Sequence, residues 1–402
     1  MLTQRKNPLD GIRVLDIGTN IAGPFGATLL GEFGAEVIKV EQPGSGDPAR
    51  RYEPIYNNKS LTWSVLARNK KSITLDFRQQ KGQELFRKLA VVSDVIIESF
   101  RPGTMEKWNL GYDVLKEINP KIILTRVSAF GQTGPYKNRG GYDRIASAMG
   151  GIMYLTGFPD APPVRVGLNL TDEITGLFNA IGTLLALYSR DSHPGGSGQI
   201  IDLGLTEAMI RLLEGVLAEH DKMGTIRERQ GNENPIIAPA DNILSSDGHW
   251  ITFTITSDTL FEKFAKITGI EELANNPKFK TNSDRLKNSK QLYALIRSWF
   301  SKKTVEEIKS CFEPAGIPYG LIYNAQDIIN DPQNIARENI VTVRDSQIGS
   351  VKMQAVVPKL SLTPGKIVSG GPDLGEHNHE VYQGLLGLQD KEFEELHKSG
   401  VI

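Results

Sequence analysis

The chain has 402 residues, 46 of them basic and 47 acidic, for a formal charge of −1. That balance excludes bulk electrostatic attraction to nucleic acid or to an anionic membrane. With 39% hydrophobic and 23% charged residues, the composition excludes a wholly disordered chain.

Residues 12–17 form a short apolar run suited to a strand buried on both faces. Gly23-Pro24 opens a helical stretch that Gly34 closes, and the missing N–H of Pro24 does no harm there. Residues 36–41 read as a second strand and 72–77 as a third. Residues 81–92 form a helix with Leu85, Leu89 and Val92 on one side. Strands over 94–98 and 121–127 flank a helix over 105–118. Such alternation predicts an α/β fold with a doubly wound parallel sheet. After a glycine-rich stretch, 172–190 has helical spacing, 199–203 is strand-like and 206–220 helical. The texture changes near residue 232. Residues 243–256 read as a hairpin around Ser245-Ser246-Asp247-Gly248, followed by helices at 259–268 and 291–300 and a strand at 317–323. This places a second, α+β domain over 228–330. Strands near 339–343 and 350–357 and short helices at 379–386 and 391–398 complete the chain.

One cysteine, Cys311, excludes an internal disulfide framework and a Cys-based zinc site. It lies in an amphipathic helical run, which suits packing. No stretch has signal-peptide or membrane-span character, so a cytoplasmic location is expected.

The loop Gly18-Thr19-Asn20-Ile21-Ala22-Gly23-Pro24-Phe25-Gly26 follows a strand and precedes a helix. Its N–H groups suit a phosphate or carboxylate, or only strand–helix packing. It matches neither a P-loop, since Pro24 takes the lysine position, nor G-x-G-x-x-G. Glu41 sits where a ribose-binding acid would lie, which leaves a nicotinamide-dependent dehydrogenase open. Arg68-Asn69-Lys70-Lys71 is a solvated loop or a seat for an anionic ligand. His377 and His379 would share one face of a strand, but no cluster of ligand spacing joins them and no metal is expected. Asp172 opens an amphipathic helix. It can be a cap, or a nucleophile whose ionised form the helix dipole favours. Local sequence leaves both readings open.

Several motifs then run in order. They are Pro8-Leu9-Asp10-Gly11-Ile12-Arg13-Val14-Leu15-Asp16, Ala22-Gly23-Pro24-Phe25, and Leu30-Gly31-Glu32-Phe33-Gly34-Ala35-Glu36-Val37-Ile38-Lys39-Val40-Glu41. Asn69-Lys70-Lys71-Ser72, Glu98-Ser99-Phe100-Arg101-Pro102-Gly103 and Ser128-Ala129-Phe130-Gly131-Gln132-Thr133-Gly134-Pro135 follow. Gly141-Tyr142-Asp143, Met149-Gly150-Gly151, Pro162-Pro163, Val166-Gly167, Asp172 and Leu374-Gly375-Glu376-His377-Asn378 complete the set. On these motifs the chain resembles the class III coenzyme A transferases. This is the CaiB/BaiF-type family of formyl-CoA and carnitine CoA transferases and their racemase relatives, and the resemblance covers nearly the whole length.

The resemblance implies an enzyme that moves CoA from an acyl-CoA donor to a carboxylic acid acceptor, of the EC 2.8.3 type. Asp172 matches its nucleophile, passing through a mixed anhydride and an aspartyl-CoA thioester. Positions matching CoA contacts are Asn20, Ile21, Ala22, Gln42, Lys70, Lys71, Ser99, Phe100, Arg101, Lys107 and Tyr142. CoA enters as part of the substrate, with no tightly bound cofactor. Racemases carry His where this chain has Tyr142, a poor base at neutral pH; the racemase is the alternative within the superfamily. A CoA-binding subunit without activity of its own is a further one. A Rossmann-like CoA-binding domain over 1–227 plus 331–402 is implied, with the smaller domain over 228–330, in an interlocked homodimer. The site must exclude water, and the glycine-rich segments 131–141 and 231–235 are candidates for its cover. Polar residues such as Arg139, Asn169, Asp143 and Glu233 do not select the two acids.

Overall fold

The computed structural model describes residues 7–402. β1 (Arg13–Asp16), α1 (Ala22–Glu32) and β2 (Glu36–Glu41) come first. A two-stranded ribbon of β3 (Ile55–Tyr56) and β4 (Lys59–Ser60) precedes α2 (Leu61–Leu66). Next are β5 (Lys70–Thr74), α3 (Gln80–Val91), β6 (Val95–Glu98), α4 (Thr104–Lys107), α5 (Tyr112–Ile118) and β7 (Ile123–Ser128). Then come α6 (Asp143–Met149), α7 (Ile152–Leu155), α8 (Leu170–Ser192), β8 (Ile200–Gly204), α9 (Leu205–Ile210) and α10 (Val216–Met223).

Six strands form one parallel sheet in the order β5-β2-β1-β6-β7-β8. The chain builds outward from β1 to one side, then returns to build on the other. The loops after β1 and β6 therefore diverge at the carboxyl edge, where doubly wound sheets bind ligands. Alternate residues feed two cores. Leu15, Ile38, Val40 and Ile96 face α3 and a C-terminal segment that supplies Tyr382, Phe393 and Ile402. Val14, Val37, Val95 and Ile97 face α1 and α8, through Ala27, Leu30, Ala180 and Leu187. The tail is tied in by Tyr382 Oη donating to Thr74 O at 2.7 Å and Asp76 N to Val401 O at 2.8 Å.

Two expected helices are each broken. The one over 105–118 splits into α4 and α5 around Asn109, whose φ is +54°. The one over 206–220 splits into α9 and α10 around Glu214, with φ +49°. Hydrophobic spacing runs through both breaks, so periodicity alone does not reveal a left-handed residue. Near the C-terminus, His377 precedes a π-helical segment, His379–Leu385, rather than lying in a strand.

The chain divides into two compact units, 1–152 with 166–217 and 333–402, and 153–165 with 218–332. This differs from the sequence boundaries at 227/228 and 330/331 by adding 218–227, 331–332 and the separate excursion 153–165 to the second unit. Hydrogen bonds hold that excursion there, from Gly231 N to Gly157 O at 2.9 Å and from Arg229 Nη1 to Tyr154 O at 2.9 Å. The second unit has an antiparallel sheet of β9 (Ala240–Leu244), β10 (Trp250–Thr254) and β11 (Tyr319–Leu321), in the order β11-β10-β9. Its core is aromatic, with Phe253, Phe261, Phe264, Phe279, Phe300 and Phe312 buried together and half-buried Cys311 packed on it. In the first unit, β12 (Ile340–Asp345) and β13 (Gly349–Gln354) form a ribbon. Among the described residues no helix is long and apolar enough to cross a membrane.

Candidate active site

The loop after β1 rests on a buried ionic lattice. Lys39 Nζ donates to Gly18 O and lies 3.0 Å from Asp47 Oδ2 and 3.6 Å from Asp16 Oδ1. Burial alone would lower its pKa, but Asp16, Asp47 and Glu41 outweigh that and raise it. Lys70 Nζ donates to Asp16 Oδ2 at 2.8 Å and to Pro24 O at 2.7 Å. Burial lowers the Lys70 pKa despite Asp16, and neighbouring Lys39 adds to the fall. Asp47 Oδ1 accepts from Asn20 N at 3.1 Å, and Tyr52 Oη donates to Asn20 Oδ1 at 2.6 Å. These bonds stabilise the left-handed backbone of Asn20, φ +66°. Just after β6, Ser99 Oγ accepts from Thr19 N at 2.8 Å, so the two edge loops are joined.

Glu41 is committed inside this lattice. Its carboxylate accepts from Arg50 Nε and Nη2 at 2.7 Å each, Ser72 Oγ at 2.6 Å and Asp47 N at 2.9 Å. Burial would raise its pKa, but Arg50 prevails and holds it low. With 3% exposure and those bonds in place, it is not presented to a ribose hydroxyl, which removes the dehydrogenase expectation.

Asp172 lies in the first turn of α8, at the positive end of a 23-residue helix. Two glycines set α8 against α1. A Cβ on Gly26 would meet the Asn179 amide, and one on Gly176 would lie 2.7 Å from Phe25 Cδ1 and 3.0 Å from Ala22 O. Asn179 Nδ2 donates to Gly23 O at 3.2 Å across the same contact. Asn169, the N-cap residue, makes no side-chain cap, and Asp143 Oδ2 from α6 takes the Thr171 N–H at 2.9 Å instead. Asp172 is thereby brought to the β1 loop. It shares a cavity of about 530 Å³ with Asn20, Ile21, Arg51, Tyr52, Glu53, Thr62, Tyr142, Asp143 and Asn169. Burial raises the Tyr52 pKa, with the charges of Asp47 and Asp172 adding to it.

Of the residues expected at the site, Asn20, Ile21, Tyr142 and Asp172 line this one cavity. Ala22 begins α1, and Ser99 is bonded to the β1 loop. Phe100 stands edge-on to Trp108 at 5.1 Å, and a Cβ placed on Gly140 would lie 3.8 Å from Arg101 Nη2. Lys107 is exposed at the end of α4, and Gln42 follows β2. The two lysines diverge. Lys70 is 3% exposed and spent on Asp16, while half-buried Lys71 pairs with Glu36 at 2.5 Å and Glu380 at 2.7 Å. Sequence reasoning passed over Arg51, Tyr52, Glu53 and Thr62; the first three lie in the connection from β2 to β3 and Thr62 in the short α2, segments that carry no periodic signal. In the 131–141 segment, Tyr136 stands edge-on to Phe130 and the Arg139 guanidinium lies over both rings. His377 Nδ1 accepts from Ser72 N at 3.2 Å, and His379 bonds Gln383 at 2.8 Å. Among the described residues no group of three side chains is arranged to hold a metal ion.

A carboxylate on a helix start, beside a glycine loop at the switch point of a doubly wound sheet, is an arrangement suited to an α/β enzyme of acyl or phosphate-bearing substrates. The sequence profile of CoA-transferase family III matches residues 9–378. Succinyl-CoA–D-citramalate CoA-transferase of Chloroflexus aurantiacus is 44% identical over all of both chains. Human succinyl-CoA:glutarate CoA-transferase is 33% identical over 98% of this chain and 90% of its own. A CAIB/BAIF family protein from Brucella suis superimposes with a TM-score of 0.84 at 34% identity, covering 95% of this chain and 100% of that one. The chain belongs to CoA-transferase family III, and it is a CoA-transferase of the EC 2.8.3 type. Coenzyme A is accordingly a substrate group for this enzyme rather than a tightly bound cofactor.

Proposed function

We propose that this enzyme moves CoA between dicarboxylic acids, with Asp172 as the nucleophile. The observation that carries the reading is the Asp172 carboxylate at the positive end of α8, in a cavity with the β1 loop. An Asp172 oxygen attacks the donor thioester carbonyl and CoA leaves as thiolate, giving an acyl–aspartyl anhydride. The thiolate then attacks the Asp172 carbonyl carbon, releasing the donor carboxylate and leaving an aspartyl-CoA thioester. The acceptor carboxylate attacks that thioester, and thiolate leaves. Thiolate attack on the acceptor carbonyl frees acceptor-CoA and restores Asp172. One thioester replaces another, so no ATP is required, and covalent capture divides a hard exchange into easier steps.

Asn20, Ile21, Ala22, Gln42, Ser99, Phe100, Arg101, Lys107 and Tyr142 form the CoA path in this reading, with Lys71 at its margin. Lys70 acts by holding Asp16 and the α1 start. Tyr142 is 72% exposed and no imidazole takes its place, which favours transfer over racemisation. The names of the relatives, for succinyl-CoA with citramalate or glutarate, support a dicarboxylic pair. We assign an interlocked homodimer on the exposed Leu177, Ile181, Leu184, Leu185 and Tyr188 of α8, an apolar face that water alone would not favour. The covalent test uses hydroxylamine with succinyl-CoA. It should inactivate the enzyme and leave a hydroxamate on the peptide containing Asp172, while Asp172→Ala should neither turn over nor be labelled. Full transfer by Asp172→Ala would refute the reading.

A further inference from the structure

We infer that Arg51 reads the far carboxylate of a dicarboxylic acyl group, and so sets the enzyme's preference for diacids over monoacids. This deepens the transferase reading and rests on it. The argument begins with the charges around the cavity. Its described lining holds three carboxylates, on Glu53, Asp143 and Asp172, and one cation, Arg51. Asp143 accepts the Thr171 N–H, and Glu53 accepts its neighbour Ile55 N at 2.8 Å. A second negative charge on the substrate would meet repulsion from this lining unless a cation received it.

Arg51 is fitted for that task and its neighbour is not. Arg50 spends its fork on both Glu41 oxygens, donates to Pro372 O at 3.0 Å and lies 3.9 Å over the Trp63 ring. Arg51 donates one bond, from Nη1 to Ser45 O at 2.6 Å, and pairs with no carboxylate among the described residues. The bond fixes one arm of the guanidinium and leaves the other donors for a ligand. A guanidinium presents a planar fork that matches a carboxylate in two-point geometry. The monoacid counterpart lacks the group that would satisfy those donors, and sites built to bond a polar group discriminate against analogues without it.

The test compares succinyl-CoA with butyryl-CoA, which has the same chain length and no far carboxylate. Transfer to a common acceptor gives kcat/KM for each donor with wild type, Arg51→Gln and Arg51→Lys. Calorimetric binding of both thioesters and of free CoA is measured in the Asp172→Asn background, with and without Arg51→Gln. Arg51→Gln should lower the succinyl-to-butyryl ratio about 10- to 100-fold, the worth of a charge-assisted hydrogen bond. Arg51→Lys, which keeps charge without the fork, should lower it less. An unchanged ratio overturns the proposal. Equal losses for both thioesters and for free CoA also overturn it, because they put Arg51 on the CoA moiety. Persistent turnover in Asp172→Asn would instead refute the nucleophile, and the binding ratio would still judge Arg51.

Discussion

Gly176→Ala sets two calculable effects against each other. In an unconstrained helix the change should stabilise by about 1 kcal/mol, because glycine has more backbone freedom to lose. Here the new Cβ would stand 2.7 Å from Phe25 Cδ1, 3.1 Å from Phe25 Cβ and 3.0 Å from Ala22 O. A ring can tilt, but a backbone oxygen and a Cβ move only with their helix. Overpacking of this kind costs about 1–3 kcal/mol, so the clash prevails and the net loss is about 1 kcal/mol. Gly182→Ala in the same helix is the control. Its Cβ would come no nearer than 3.3 Å, to the movable Ile201 Cγ2, so it should be neutral or slightly stabilising. Urea unfolding of both variants measures the difference. Gly176 lies one turn from Asp172, so a shift of α8 carries the carboxylate with it. Displacements near 1 Å at a reacting group cost about 100-fold in rate, so kcat should fall by about 10- to 100-fold while Gly182→Ala retains it. A Gly176→Ala enzyme as stable and as fast as Gly182→Ala would refute the idea that close approach of α1 and α8 positions the carboxylate.

Asp143→Ala removes the acceptor for the buried Thr171 N–H and should cost about 1–2 kcal/mol in urea unfolding, whereas Asp143→Asn, which keeps an acceptor oxygen, should recover most of it. The same substitution removes a charge that, after burial, raises the Glu173 pKa, so Glu173 should titrate lower by carbon-detected NMR. A further prediction concerns pH. Burial outweighs Arg126 and pushes the Glu98 carboxyl up to about 7. Between the unfolded value near 4.5 and about 7, the native state therefore holds more proton than the unfolded state, and this group's contribution to stability declines as pH rises through that window. Relative to Glu98→Gln, wild type should lose ground on going from pH 5 to pH 8, and parallel stability–pH curves would show that Glu98 has no such shift.

The doubly wound sheet was legible from local pattern. Buried parallel strands read as apolar runs such as Val14-Leu15 and Val37-Ile38, and amphipathic helices separate them with short loops. The helix breaks at Asn109 and Glu214 were not legible, because each is a single left-handed residue inside an otherwise continuous apolar period. Site residues divide the same way. Asn20, Tyr142 and Asp172 stand in motifs, but Arg51 and Tyr52 enter the cavity only because the β2-to-β3 connection folds back over the β1 loop.

Residue types repeated at local spacing or in fixed order were enough to read the fold class, the family and the candidate nucleophile. Tertiary structure alone decided which charges are already spent. Glu41 and Lys70 look like ligand-binding groups in one dimension, and in three they neutralise Arg50 and Asp16 inside the core. Adjacent Arg50 and Arg51 are alike in sequence, yet one faces a buried carboxylate and the other a cavity. A charge's free energy is set by its partners and its access to water, and those partners stand on other elements, nine residues away for Glu41 with Arg50 and 54 for Lys70 with Asp16.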